Sequence, residues 1–328
     1  MDAVSPWWVP DRHQDRRPYL VARNRIKSAL RGWFEAEGFV EVEPGIVQVS
    51  PGNEAHLHAF ETLAVAPDLS RKPLYLHTSP EFACKKLLTA GERNIFCFAP
   101  VFRNRERGKL HSPEFTMLEW YRVDTGYAVM MSDCVQIVRE ALSSVQREHL
   151  SFADRSADAF RTEFQTITFA EAIARVLGCA PEDVEQVFAA QDFARLCHLT
   201  EAHGQPAKAG DDWSSLLSRL ITIADTGLGY DVPAFLTDYP VSEAALAAAD
   251  PDRQWLAERF ELFACGVEMA NGFTELTDAA EQRSRFVTEM EEKARIYGEE
   301  YPLDDDFLSA LELMPPAGGC AMGFDRLV

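Results

Sequence analysis

Residues 102–122 read FRNRERGKLHSPEFTMLEWYR, with Arg103, Arg105, Arg107 and Lys109 at every second position of the first half. An apolar, acid-tipped segment follows at once. Taken as a strand, EFTMLEWYR puts Phe115, Met117, Glu119 and Tyr121 on one face and Thr116, Leu118 and Trp120 on the other. One face therefore carries a ring, a carboxylate and a phenol in line. That face suits a small ligand with a flat part and an ammonium; an ordinary strand with one solvated acid is the alternative. The comb of cations is unexpected because the chain is acidic, with 32 Lys and Arg against 52 Asp and Glu and a net charge of −20.

Working outward, NIFCFAPVFR before the comb is strand-like, and residues 104–112 form a polar loop between two strands. Upstream, LYLHTSPEF leads from a short strand into a helix start: Ser79 caps, Pro80 takes the first turn and Glu81 is acidic there. From Tyr19 to Glu37 the apolar residues Leu20, Ile26, Leu30, Trp33 and Phe34 recur at helical spacing, and Gly38 is a helix stop. Residues 1–17 read as a loose lead-in. FVEVEPGIVQV reads as one strand whose Pro44 fits a sheet edge or a subunit boundary.

Residues 132–227 are mostly helical in pattern and read as an insertion, with 178–210 the most weakly patterned part. PAFLTDYP returns to strand. RFELFACGVEMANGFTEL reads as a strand pair turning about Ala264–Cys265, which sets Glu261 opposite Glu268. Two carboxylates in that register, about 5 Å apart, repel. Either both are solvated, or the register differs, or a divalent cation sits between them. Oxygen-only ligation points to magnesium, which takes one or two carboxylates plus phosphate oxygens. Glu275 follows Asn271-Gly272 as another acid in an apolar setting. Residues 277–299 read as a charged helix. PPAGGCAMGFDRLV puts glycines before a helix with Arg326 in its first turn. Such a turn favours phosphate, with a plain loop as the alternative.

The 328 residues allow one large domain or two ordinary ones, and 47% apolar with 26% charged content is that of a globular enzyme. No apolar run reaches the roughly 18 residues that a membrane span needs. The N-terminus carries no apolar signal region, and seven dispersed cysteines without a CxxC pair suggest reduced thiols in a cytoplasmic protein. The net charge disfavours broad nucleic-acid binding, which rests on neutralising phosphates, but leaves room for a local anion site.

Together these segments resemble the class II aminoacyl-tRNA synthetases. FRN…HSPEFTMLEWYR resembles their motif 2, GGCAMGFDRL their motif 3, and the helix followed by GFVEVEPGIV their motif 1, whose proline lies at the dimer interface. GVEMANGFTELTDAAEQ and HTSPEFACKKLL are similar to the lysyl branch. The match covers roughly residues 18–328 and leaves no room for the anticodon-reading domain that lysyl enzymes carry before motif 1. In that respect the chain is most similar to the elongation factor P–(R)-β-lysine ligase family.

The resemblance implies an α+β fold, the class II synthetase catalytic core: an antiparallel β-sheet flanked by helices, with a mainly helical insertion. It implies a homodimer that uses ATP and Mg2+ to activate (R)-β-lysine and transfers it to a lysine side chain of elongation factor P, without tRNA. In the roles implied, Arg103 and Arg326 are catalytic. Arg103 holds the α-phosphate and the substrate carboxylate, and Arg326 clamps the triphosphate tail. Asn104, Arg105, Glu106, Ser112, Phe115, Glu268, Met269 and Gly323 join these two arginines around ATP, with Phe115 stacked on adenine. Glu261 and Glu268 hold the metal. Ser79, Pro80, Glu81, Glu119, Tyr121, Asn271, Phe273, Glu275 and Ala321 surround the amino acid. Glu81 takes its backbone-side amine; Glu275 and Tyr121 read the distant ammonium. Ala321 stands where lysyl-tRNA synthetases have a glycine, and its methyl would crowd an α-amino group more than a β-amino group. An α-lysine-charging enzyme and a non-catalytic paralogue are the other readings.

Two departures concern adenine. The family's motif 2 reads Arg-Asn-Glu, but Arg105 stands in the glutamate position and cannot accept a hydrogen bond. Either Glu106 takes over after a small loop shift, or the backbone reads adenine. Ser112 replaces an asparagine. The chain also stops at Val328, a few residues into the motif 3 helix, which reads as a trimmed C-terminus.

Overall fold

The computed structural model describes residues 6, 8–161, 163–225 and 227–328. The first helix, α1, runs Pro10–Ala36 and begins on a proline. Proline suits that position, because its missing N–H has no helical partner to lose. Ile26, Leu30 and Phe34 form its buried stripe, and Gly38 follows with φ 78°, left-handed as a stop requires. Residues 10–17 are therefore helix and not a loose lead-in. They bury nothing, so no apolar period marks them; residues 1–5 and 7 of that lead-in lie outside the described residues.

The single strand expected after Gly38 is two short ones, β1 (Val40–Glu41) and β2 (Val47–Gln48), parted by the segment holding Pro44. Next come β3 (Phe60–Val65), β4 (Arg71–Leu76), α2 (Glu81–Thr89), β5 (Asn94–Phe102) and β6 (Glu114–Val123). The strand pair and the polar loop between β5 and β6 match the sequence expectation. Then follow α3 (Tyr127–Ser144), the hairpin β7 (His149–Phe152) and β8 (Arg155–Asp158), and β9 (Gln165–Thr168). Four helices come next: α4 (Phe169–Leu177), α5 (Pro181–Ala190), α6 (Phe193–Ala202) and α7 (Trp213–Asp225). The chain continues through β10 (Ala234–Pro240), β11 (Leu256–Ala264), β12 (Val267–Thr274), α8 (Ala279–Tyr297), α9 (Asp305–Leu311), β13 (Ala317–Gly323) and α10 (Phe324–Leu327).

Eight strands form one sheet in the order β1-β5-β6-β13-β12-β11-β10-β9. Its six central strands pair antiparallel, while both edge pairs, β1/β5 and β9/β10, are parallel. The α+β expectation holds, and parallel edges qualify the antiparallel one. On one face, α1 and α3 pack through Phe34, Trp120, Ile137 and Phe260, with Phe34 stacked on Phe96 at 4.3 Å. On the other, α2, α8 and α9 pack through Phe82, Phe286 and Phe307, with Phe82 stacked on Phe307 at 4.1 Å. Helix α3 thus belongs to the main core, although it falls in the stretch read as an insertion. Helices α4 to α7 have their own apolar cluster, built from Phe169, Ile173, Phe188 and Leu217 against β9 and β10. All seven cysteines are free thiols.

Candidate active site

Sheet register builds the site. Glu119 on β6, Ala321 on β13, Asn271 on β12 and Glu261 on β11 stand in one row across four adjacent strands. Two residues along, Tyr121, Gly319, Phe273 and Arg259 form the parallel row. Period-two alternation turns both rows to the same face. The β6 face read from sequence, Phe115, Met117, Glu119 and Tyr121, lines a cleft, while Leu118 and Trp120 enter the opposite core. Glu119 is therefore no solvated acid.

At one end of the cleft, Glu119 is 1% exposed and fully hydrogen-bonded: Ser79 Oγ donates to one oxygen at 2.6 Å and Tyr121 Oη to the other at 2.7 Å. Burial pushes its carboxyl up to about 7, and the nearby Glu81 adds to the rise. The Ser79 hydroxyl also accepts from the Glu81 N–H at 3.1 Å, but α2 starts at Glu81 with Pro80 in the capping position, one residue later than the sequence expectation placed the cap. Glu275 follows β12 and is 3% exposed; burial lifts its carboxyl to about 8, partly offset by Lys85. Lys85 Nζ lies 2.5 Å from both Glu81 Oε1 and Glu275 Oε2. Burial works against that ammonium, but Glu275 and Glu81 outweigh it and hold its pKa above the usual lysine value.

Gly319 gives Glu275 its place. A Cβ there would fall inside contact distance of Glu275 Oε1 and 2.6 Å from the Tyr121 ring. Its φ is not in the left-handed region, so the requirement is space and not backbone conformation. Ala321, Asn271 and Phe273 line the same part of the cleft.

The other end is cationic and aromatic. The Arg103 guanidinium sits 5.4 Å from the Phe115 ring centroid, and its Nε donates to the Thr78 carbonyl. Arg326 donates to the Glu268 carbonyl at 2.6 Å, reaches its carboxylate at 3.3 Å and lies 3.3 Å from His111 of the polar loop. Glu106, Ser112, Met269 and Gly323 also line the cleft. Asn104 and Arg105 do not. Asn104 donates its N–H to the His58 carbonyl, and its side-chain oxygen accepts from the Arg105 N–H. Arg105, with φ 65°, turns its guanidinium to Glu299 and the Tyr297 ring. Arg105 takes a left-handed conformation, and the next residue, Glu106, is the one that lines the cleft.

The hairpin register differs from the one read from sequence. Glu261 pairs with Asn271 and Glu268 with Phe263, because a bulge falls between Leu262 and Phe263 and the turn lies at Cys265-Gly266. The two carboxylates are not cross-strand partners. They still feel each other: burial raises the Glu261 carboxyl, Arg259 opposes the rise and Glu268 adds to it. Glu268 lines the cleft, while Glu261 is held by Arg259 at 2.6 Å. Among the described residues no three His, Cys, Asp or Glu side chains cluster as a metal cage. Of Glu261 and Glu268, only Glu268 faces the cleft, and carboxylate oxygens of that kind, if phosphate oxygens completed the shell, would suit magnesium and no thiophilic ion.

Sequence reasoning missed Lys85, buried behind the cleft, and two residues that line it, Arg259 and Glu54. Lys85 was one cation among two in ACKKLL, and its i,i+4 spacing from Glu81 was the available signal. Arg259 is the cation of an apolar strand; it donates to Asn271, Glu261 and the Glu243 carbonyl and stacks 4.3 Å over Tyr239. Glu54 lies in a loop without pattern; burial raises its carboxyl while Arg103 opposes the rise.

The profile of the class II tRNA synthetases for Asp, Lys and Asn matches residues 7–328. The chain belongs to the class II tRNA synthetase family. It is 35% identical to an elongation factor P–(R)-β-lysine ligase of Sodalis glossinidius over 314 residues, covering 94% of this chain and 89% of that one. Ligases with the same name from Vibrio cholerae and Haemophilus influenzae are 33% and 34% identical over 94% of this chain, covering 90% and 89% of theirs. Among the described residues no helix is long and apolar enough to cross a membrane.

Proposed function

We infer that this chain is an ATP-dependent, AMP-forming ligase that activates (R)-β-lysine as its adenylate and transfers it to a lysine side chain of elongation factor P. One observation carries the reading: two buried carboxylates, Glu119 and Glu275, and the half-buried Glu81 converge with Tyr121 in the same cleft as Arg103, Phe115 and Arg326. An acid pocket for a diamino acid lies beside a cationic, aromatic place for a nucleotide.

In the first step the amino acid carboxylate attacks the α-phosphorus and pyrophosphate leaves. Arg103 holds both reacting anions, Phe115 stacks on adenine, Glu106 contacts it, and Arg326 clamps the triphosphate tail. Ser112, Met269 and Gly323 complete the nucleotide walls. Glu268, with Glu261 beside it, would hold magnesium, which when bound neutralises phosphate charge. Glu81 takes the amine nearer the carboxylate; Glu275 and Tyr121 face the distant ammonium, with Asn271 and Phe273 beside them. In the second step the target amine attacks the mixed anhydride and AMP leaves. No protein nucleophile is needed, so positioning and charge compensation carry the rate. The Ala321 methyl, in register with Glu119 and Asn271, favours an amine one carbon further from the carboxylate. The motif 1 segment, with Tyr19, Leu20, Val40 and Val47 exposed, pairs two copies as a homodimer. The substrate protein is elongation factor P and not tRNA.

The test is ATP–pyrophosphate exchange with (R)-β-lysine, α-lysine or no amino acid, followed by labelling of elongation factor P. Exchange driven more strongly by α-lysine, or charging of tRNA, overturns the substrate. Measurable ATP binding with no exchange for any lysine isomer overturns the enzyme reading.

A further inference from the structure

Lys85 has no place in the mechanism above, yet two of the pocket's three carboxylates share it. It leaves α2 one turn after Glu81, is 1% exposed, and meets Glu81 and Glu275 at 2.5 Å each. Its ammonium also lies 5.5 Å from the Phe273 ring centroid. The carboxylates come from three separate places in the chain: Glu81 from α2, Glu119 from β6 and Glu275 from the residue after β12. Gly319 is the size it is because Glu275 reaches in to this ammonium.

Buried charge has to be matched by opposite charge, since an unpaired ion in a dry site costs several kcal/mol. Once all three carboxylates are ionised, as a bound cation requires, one ammonium leaves two negative charges to be matched by the ligand. The ligand's own carboxylate is matched separately, by Arg103. We infer that Lys85 is a positioning residue that sets the pocket's charge, so that a ligand with two ammonium groups completes it and one with a single ammonium leaves a carboxylate uncompensated. The inference rests on the diamino acid reading above.

The surrounding groups agree. Tyr121 and Cys84 are both held well above their ordinary values and stay neutral. Glu54, facing Arg103 and Glu81, is pushed by burial towards its neutral form. Glu119 and Glu275 are lifted to about 7 and about 8, so each holds part of a proton near neutrality. A dication entering the pocket displaces those protons, and Lys85 fixes how many there are to displace. Without it, Glu81 and Glu275 face each other as like charges and take up a proton in its stead.

The test uses the whole chain with Lys85→Ala, which leaves a hole the size of a short alkylammonium. Charge setting predicts that its KM for lysine rises about 100-fold, the loss expected for one buried ion-pair partner. The KM for ATP stays within about twofold, as the nucleotide groups are elsewhere. Ethylammonium chloride lowers the lysine KM again, whereas ethanol at the same concentration does not. A folded variant whose lysine KM is unchanged, or is not restored by ethylammonium, overturns the inference. Should the variant not fold, the wild-type protein decides. Calorimetry at pH 7.5 in buffers of different ionisation enthalpy counts protons released on binding. Lysine must release about one more than norleucine, its single-ammonium analogue of similar length. Equal release overturns the charge setting. Wild-type protein that shows no exchange with any lysine isomer overturns the functional reading instead, which separates the two failures.

Discussion

Gly319→Ala adds one methyl group at the most crowded point of the amino acid pocket. The new Cβ would overlap Glu275 Oε1 and stand 2.6 Å from Tyr121 Cε1 and 2.7 Å from its Cδ1. Neither neighbour has free space. Tyr121 is 3% exposed and donates to Glu119; Glu275 is 3% exposed and pinned by Lys85. The backbone accepts alanine, so the whole cost comes from displaced side chains. Overpacking of a dense core costs about 1–3 kcal/mol of stability. Moving Glu275 away from the ligand removes a charged hydrogen bond, about 1.5–3 kcal/mol. That is about a 10- to 150-fold loss in kcat/KM for lysine. The KM for ATP moves by less than about twofold, because Arg326, Glu268 and Phe115 touch neither Gly319 nor Glu275. Exchange kinetics with each substrate varied in turn, together with a denaturant melt, separate the two effects. A variant with wild-type kcat/KM for lysine refutes the reasoning, since the pocket would then not depend on where Glu275 stands. So would an equal loss towards both substrates.

Glu275→Gln keeps the shape but not the charge; lysine use falls about tenfold or more while ATP binding, measured by calorimetry, holds. Glu119 gives a pH signature. Its carboxyl is raised from 4.5 to about 7, so the folded state favours the protonated form. Stability from this group is full below the ordinary carboxylate range and is lost as pH rises through about 7, about 3 kcal/mol in all. Glu119→Gln removes that slope, and the difference between the two melting curves against pH reads it; parallel curves refute the assignment. Arg105→Ala leaves the KM for ATP within about twofold and costs at most about 1 kcal/mol, as an exposed pair does. Glu106→Gln raises that KM several-fold, and the reverse ranking would return Arg105 to the nucleotide.

Much of this was legible because strand alternation is strict. Once EFTMLEWYR is a strand, Phe115, Met117, Glu119 and Tyr121 must share a face, and they do. The hairpin was less legible. A symmetric turn about Ala264–Cys265 is the simplest choice, but the turn lies one residue on, at Cys265–Gly266, and a bulge after Leu262, which nothing in the local residues demands, shifts the register by one more. Residues 10–17 escaped because a helix that buries nothing carries no period. Lys85 escaped for a physical reason too: a buried lysine looks like any surface lysine until its two carboxylates, one of them far along the chain, are brought to it. Arg105 was conspicuous in sequence as a misfit; its left-handed backbone and its turn towards Glu299 are geometry that no residue pattern displays.

The strand order has a consequence for how the molecule is made. β13 lies between β6 and β12, so residues 317–323 join two halves of the sheet that are otherwise not hydrogen-bonded to each other. During translation, β5–β6 and β9–β12 can each assemble before β13 leaves the ribosome. Until then both halves present an open, apolar strand edge, the kind of surface that invites wrong partners. The active site cannot exist in that interval, because Gly319 and Ala321 are the middle of both functional rows. A nascent chain of this kind should depend on holding chaperones until residues 317–323 are available, and gain stability and catalytic competence in one closing step.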